Sequence, residues 1–170
     1  MNVWDAIQTK RAVRHFTDEP LDQEALLRIL KAGRRSQSSK NTQPWHFVVI
    51  QDRAMLEALS KTGTYLAPVA GAAACIALVT PDVPAAEANW IAFDVGQAAA
   101  YMQLAAQEIG VGSVIGTIFE PDQARALLGL PDGQRADVLL SFGYPTEQAQ
   151  RPLQGQGRRP LADIVHWERW

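Results

Sequence analysis

Apolar positions along this chain recur with the helical period in some stretches and run together in others, and the switch between the two outlines the elements. Val3 and Ile7, with Trp4 beside them, share a helical stripe that reaches Arg11 one turn on, so Val3 to Arg11 is expected as a short helix ending in a basic cluster. Asp22 is placed to cap a second helix, whose Leu26, Leu27, Ile29 and Leu30 form an apolar face until Gly33. A polar loop follows, and His46 to Gln51 reads as the first strand. Asp52 can cap a third helix carrying Met55, Leu56 and Leu59, and after an uncharged loop Cys75 to Thr80 reads as a buried strand stopped by Pro81 and Pro84.

The longest periodic segment is Glu87 to Ile109. Its apolar positions, among them Ile91, Phe93, Val95, Tyr101, Met102 and Leu104, wrap most of the circumference, which predicts a helix buried on several sides and ended at Gly110. Val111 to Phe119 reads as a strand, Pro121 opens a helix through Leu128, and Asp137 to Phe142 reads as the last long strand before Gly143-Tyr144-Pro145. Arg151 to Arg159 holds Pro, Gln and Gly where core residues would stand, and predicts a course over a surface. Leu161, Ile164, Val165, Trp167 and Trp170 are apolar again, so this end is expected to dock on its own domain or on a second subunit. No repeat or linker interrupts the order. Residues 1–170 are expected as a single α+β or α/β domain with a central sheet.

Composition bounds the function. At 170 residues, 47% hydrophobic and 20% charged, the chain has the makeup of a globular domain with a real core. Cys75 is the single cysteine and has no partner for a disulfide or a CxxC site, so a reducing, cytoplasmic compartment is the default. Thr62 to Pro81 carries no charge, but Gly63, Pro68 and Gly71 and its many small residues make it a loop and strand, with no membrane span expected. Residues 1–50 have net charge +3, residues 51–150 net −7 and residues 151–170 net +2. A total of −2 argues against sequence-independent nucleic-acid binding, whereas a small anion held where the two basic ends meet fits the distribution.

Several chemistries lack their residues. His15, His46 and His166 stand apart, without Cys, Asp or Glu at metal-ligand spacing, so no metal site is expected. There is no G-x-S-x-G and no P-loop. Gly110-Val111-Gly112-Ser113-Val114-Ile115-Gly116 has a glycine rhythm, but it follows a helix and opens a strand, the reverse of a dinucleotide fingerprint. Two stretches remain. Lys10-Arg11-Ala12-Val13-Arg14-His15-Phe16 gathers three cations within five residues, either as a solvated helix end or as donors for a phosphate, with Arg158-Arg159 equally ambiguous. Ser38-Ser39-Lys40-Asn41-Thr42-Gln43-Pro44-Trp45 puts six side chains able to hydrogen-bond directly before a buried strand.

Taken in order, these pieces resemble the FMN-dependent nitroreductase family: an early R-R-S-x-R-x-F cluster, a P-S-S-x-N-x-Q-P-W loop entering a strand, a long buried helix ending in G-L-G, a late G-Y-P and a C-terminal R-x-P. Here they are Lys10 to Phe16, Ser38 to Trp45, Gly110-Val111-Gly112, Gly143-Tyr144-Pro145 and Arg158-Arg159-Pro160, and together they cover nearly the whole chain. The resemblance implies a nitroreductase-like α+β fold, a central mixed or antiparallel sheet flanked by helices, in an intertwined homodimer whose tail, residues 151–170, wraps the partner. It implies bound FMN, with Lys10, Arg11, Arg14, Arg158 and Arg159 around its phosphate and ribityl chain, Ser38, Ser39 and Asn41 on the flavin, and the backbone near Gly116 and Thr117 facing N5. For Trp45 and Gln43, packing and turn support is the favoured role. NADH or NADPH would give a hydride to the flavin, and a nitroaromatic, quinone or similar small acceptor would then take the electrons, with no catalytic acid or base required of the protein.

Departures bear on affinity. Lys10 stands where the family usually has Arg, Ala12 where it has Ser and Gln37 where the loop has Pro, and the loss of one phosphate hydrogen bond at Ala12 is worth roughly 1 kcal/mol. The inserted helices that often cover the ring are missing. Two further readings share the same residues: a flavin-binding carrier or sensor without turnover, and a member that dimerises without cofactor.

Overall fold

The computed structural model describes residues 1–147 and 157–170. Its elements are α1 (Val3–Thr9), α2 (Gln23–Arg34), β1 (His46–Ile50), α3 (Arg53–Leu59), α4 (Ala67–Ala70), β2 (Ala74–Pro81), α5 (Ala85–Glu108), β3 (Gly112–Thr117), α6 (Pro121–Leu128) and β4 (Gln134–Gly143), with 3-10 turns at Ser39–Asn41 and Leu161–Asp163. The strands form one sheet in the order β1-β2-β4-β3, every pairing antiparallel. This is the expected α+β class. Much of the course expected for Arg151 to Arg159 lies outside the described residues.

Strand β2 explains the layering. It is buried on both faces and therefore carries an unbroken apolar run instead of an alternating one. Ala74, Ile76 and Leu78 face a core shared with Leu26 and Ile29 of α2 and with Val95, Ala98 and Met102 of α5. Cys75, Ala77 and Val79 face the opposite core, built from Leu56 and Leu59 of α3, Leu66 just before α4, Val69 of α4 and Ala124 of α6. The sheet is a partition between two hydrophobic layers, each buried Leu or Ile contributing on the order of 1.5–3 kcal/mol. Burial also pushes the Cys75 thiol up to about 12, which keeps it protonated and inert at neutral pH.

Local signals place the helix starts. Asp22 accepts the Ala25 N–H at 2.7 Å and Asp52 the Met55 N–H at 2.8 Å, both as N-caps. Gly110 takes φ 77° just after α5, the left-handed residue a helix end calls for.

Four expectations are corrected. Helix α1 stops at Thr9, because Ala12 is drawn into a parallel bridge with Ser113 and the Val13 N–H donates to the Ser113 carbonyl at 3.0 Å. Arg11 and Arg14 therefore lie on an extended segment beside the sheet, not on a helix end, which removes the dipole reading of the basic cluster. The uncharged stretch before β2 holds the short helix α4, begun by Pro68 in its first turn. Strand β4 starts earlier than Asp137, at Gln134, since β2 runs to Pro81 and offers partners that far. Helix α5, whose apolar positions wrap most of its circumference, buries only part of it: Val95, Ala98 and Met102 are buried, but Trp90 is 71% exposed and Phe93 66%.

One close approach ties the loop before α4 to the sheet. A Cβ on Gly63 would collide with the Thr117 carbonyl, and one on Gly116 would come within 2.5 Å of Leu66 Cδ2. Gly63→Ala should therefore destabilise the protein by about 1–3 kcal/mol through overpacking against backbone, whereas Gly71→Ala, with open space at its Cβ, should stay within about 0.5 kcal/mol of the parent. Urea midpoints of the two variants check this.

Candidate functional site

A cleft of about 1050 Å³ opens along β3, the edge strand that carries Val114, Ile115, Gly116 and Thr117 into its lining. Arg14, His15 and Phe16 border it, Thr64, Tyr65, Pro68 and Gly71 line it from the α4 region, and Thr146 and Glu147 line it too. Each border is anchored from outside. The Phe119 and Glu120 N–H groups donate to the Thr62 carbonyl at 2.8 and 2.9 Å, which seats residues 62–66 on the end of β3. Tyr65 then stands over Phe119, ring centroids 6.4 Å apart and 58° inclined, both rings exposed at the rim. Near Arg14, the Thr17 N–H donates to the Tyr144 carbonyl at 2.8 Å and the Thr146 N–H to the His15 carbonyl at 3.2 Å. Gly112 and Gly143, paired across β3 and β4, leave the room that Val13 and Phe16 fill.

The cations gather from both ends of the chain. Lys10 is half-buried, and its pKa is lowered first by that burial and second by the charge of Arg158. Among the described residues none of Lys10, Arg11, Arg14 or Arg158 makes an ion pair with a carboxylate. Arg159 turns instead to the Asp163 carbonyl, to which it donates at 2.8 Å. Two like charges brought together, with no carboxylate paired to either among the described residues, are chemically suited to an anion such as a phosphate.

The polar loop is built as strictly as the cleft but elsewhere. Ser38, Ser39 and Asn41 are not part of the cleft lining. Lys40, Asn41 and Gln43 all take positive φ, 51°, 57° and 50°. The Ser39 N–H donates to the Asp94 carboxylate of α5 at 2.8 Å, and the Gln37 amide donates to Gln97 of the same helix at 2.7 Å. Ser38 Oγ accepts the Gln43 N–H at 2.9 Å, and Trp45 is buried in the core beside α2 and α5. Turn support by Gln43 and packing by Trp45 are thus what the structure displays.

So the fold brings Arg14, Gly116 and Thr117 together at the cleft and Lys10 together with Arg158, and holds Ser38, Ser39 and Asn41 on α5. Sequence reading missed His15, Thr64, Tyr65, Pro68 and Glu147 as lining residues. A signal existed for three of them: Thr64, Tyr65 and Pro68 lie between Gly63 and Gly71 in the uncharged stretch, too broken for a strand yet without the charges of a solvated loop. Among the described residues no three His, Cys, Asp or Glu side chains gather to hold a metal, and no helix is long and apolar enough to cross a membrane.

Comparison with known proteins agrees with this fold. A family model for the nitroreductase family matches residues 7–69 and 57–144. A chain from Archaeoglobus fulgidus, provisionally named NADH dehydrogenase/NAD(P)H nitroreductase, is 30% identical over 169 residues, 96% of each chain. The NADPH-flavin oxidoreductase of Vibrio harveyi is 30% identical over 97% of this chain and 73% of its own. Among solved structures, nitroreductase A from Vibrio parahaemolyticus superposes with a TM-score of 0.88 at 28% identity, over 100% of this chain and 78% of that one. The NADPH:FMN oxidoreductase from Vibrio harveyi, complexed with NAD+, gives a TM-score of 0.88 at 26% identity, with the same coverage. The sheet and the helices around it have the fold of these solved structures, and the chain belongs to the nitroreductase family.

Proposed function

We propose that this chain is an FMN-dependent NAD(P)H oxidoreductase of nitroreductase type, acting as a homodimer on a nitroaromatic, quinone or similar small acceptor. The observation that carries the reading is the meeting of Lys10 and Arg158, unpaired by any carboxylate among the described residues, in a fold whose sheet edge, bordered by Arg14, holds a cleft large enough for a cofactor and a substrate. The names of two similar proteins, NADPH-flavin oxidoreductase and NADPH:FMN oxidoreductase, support the choice of cofactor.

When bound, FMN supplies the two-electron chemistry, taking a hydride from NADH or NADPH and passing the electrons to the second substrate. The chain supplies position and charge. Lys10, Arg11, Arg14 and Arg158 hold the phosphate and ribityl end, with Arg159 next to them. The backbone of Gly116 and Thr117, in the cleft lining, would face the flavin near N5. Tyr65 and Phe119 leave the rim open, so reductant and acceptor can visit one face in turn. Ser38, Ser39 and Asn41 cannot serve the cleft of their own chain from where α5 holds them, and a second copy gives them one: the loop of each subunit completes the site of the other. Trp90 and Phe93 on α5, Trp4 on α1 and Trp167 and Trp170 in the tail are exposed and supply the apolar surface for such a contact.

The purified protein should show a flavin absorption band, or acquire one with added FMN, and the band should bleach on anaerobic addition of NADPH or NADH and return with a nitro or quinone acceptor. A band that no pyridine nucleotide bleaches would favour a carrier or sensor, and no band even with added FMN would favour a cofactor-free member.

Arg158→Ala and Lys10→Gln should each raise the FMN dissociation constant about ten- to a hundredfold, the loss of one hydrogen bond to a charged group. In flavin-free protein at pH 7, Lys10→Gln should melt no lower than the parent, because protonated Lys10 is disfavoured by the fold. Deletion of residues 159 to 170 should dissociate the dimer or release flavin, read by sedimentation and absorbance. An intact yellow dimer would count against the tail's role.

A further inference from the structure

We propose that Asp94 of α5 is a positioning residue for the flavin site, holding the Ser38 to Gln43 loop in the left-handed conformation from which it meets the cofactor. This rests on the function proposed above, in which that loop contacts flavin.

From the last turn of α2 onward the chain runs back along α5 and is held to it at three places. Gly33 lies against Met102, where a Cβ would come within 2.8 Å of Met102 Cγ. The Gln37 amide donates to Gln97 at 2.7 Å, and the Ser39 N–H donates to Asp94 at 2.8 Å. Each step moves forward on the loop strand and backward on the helix, ending where the backbone turns left-handed. Asp94 is the buried rung, 5% exposed. A carboxylate out of water is disfavoured unless its charge is met by donors, so a buried Asp aimed at a loop amide is a directional device, not a packing choice.

The loop needs such a device. Lys40, Asn41 and Gln43 hold positive φ without being glycine. Asn adopts this region readily, but Lys and Gln do so only where the surroundings impose it. Left to itself the segment would relax toward extended backbone, and the hydroxyl and amide groups of Ser38, Ser39 and Asn41 would lose their fixed aim. Asp94 acts through the Ser39 backbone amide, whose N–H donates to its carboxylate, and not through those side chains.

The test compares Asp94→Ala and Asp94→Asn with the parent in three assays: tryptic cleavage after Lys40 in flavin-free protein, FMN affinity, and riboflavin affinity. Without the acceptor, Asp94→Ala should be cleaved after Lys40 about tenfold faster and should bind both flavins about tenfold more weakly, by the same factor, since the loop serves ring and ribityl rather than phosphate. Asp94→Asn keeps an acceptor oxygen and should stay within about threefold of the parent in all three. Arg158→Ala, by contrast, should weaken FMN alone.

If Asp94→Ala does not fold, Ser39→Pro removes the same hydrogen bond from the exposed side. Ser38 is extended, φ −146° and ψ 158°, and Ser39 opens the 3-10 turn, so proline is sterically admitted there. Ser39→Pro should reproduce the faster cleavage and the equal loss of both flavins, while Ser39→Ala, which keeps the amide, should not be cleaved faster. A folded Asp94→Ala variant with parental cleavage and affinities would overturn the proposal, as would a loss confined to FMN. A parent that binds neither flavin would overturn the function proposed above and this inference with it; a parent that binds both, with an indifferent Asp94 variant, would overturn this inference alone.

Discussion

Like charge gathered with no carboxylate paired to it among the described residues is the constraint from which the proposed site follows. Lys10 and Arg158 come from opposite ends of the chain, yet the fold sets them near enough for the guanidinium to disfavour the protonated amine, in a spot where burial disfavours it already. Because the folded state holds the lysine pKa below its unfolded value, the penalty is fully present below the folded pKa and fades as pH rises toward the ordinary value of 10.5. Such an arrangement does not serve the stability of the empty protein. In the proposed site a phosphate between the two would reverse the sign of each contribution, turning repulsion into two charge-assisted hydrogen-bonding partners. The extended segment after α1 serves this one meeting on its side, and the returning tail brings Arg158 to it.

What lets the chain carry that penalty is the sheet. With β2 buried on both faces and a separate core on each side, the strands form a stiff partition, and β3 at its edge is positioned by the pairing of Gly112 with Gly143 through that of Thr117 with Val138. An open strand edge is usually a hazard, because its unpaired backbone groups invite another strand. Here the bridge from Ala12 to Ser113 and the residues around Gly63 occupy it, and the same segments that blunt the edge form the borders of the cleft. Edge protection and site construction are one structural solution.

The features legible in the sequence are those whose causes are local. Asp22 and Asp52 announce their helices because a cap bond closes within three residues, Gly110 marks the end of α5 by its own φ, and the run from Cys75 to Thr80 reads as a strand because two-sided burial needs no partner's identity. The family motifs were legible for the same reason, each being a short string. What escaped depends on distant partners. The end of α1 is decided by Ser113, which outcompetes one more helical turn, and nothing in Lys10 to Phe16 says so. Tyr65 lines the cleft because Gly63 fits against the Thr117 carbonyl, a fact of steric contact between segments far apart in sequence. The apolar residues around α5 look like a helix buried on all sides, since composition counts Trp90 and Phe93 as core whether a neighbour in the same chain covers them or not.

That last mismatch carries an argument of its own. Helix α5 does three jobs: it closes the core with Val95, Ala98 and Met102 on one side, and on the other a single stripe carries both the loop clamps Asp94 and Gln97 and the outward-facing Trp90 and Phe93. Aromatic rings at two-thirds exposure on a well-packed helix are unfavourable for a lone chain. The loop shows the complementary anomaly, strained and fastened with care yet off the cleft that its residue types suit. A second copy docked along α5 resolves both, covering the rings of one chain while receiving its loop at the cleft of the other. In the proposed dimer the subunit contact and the flavin site are therefore not separate surfaces. A change that loosens α5 should weaken both, because the helix that buries the interface also aims the loop.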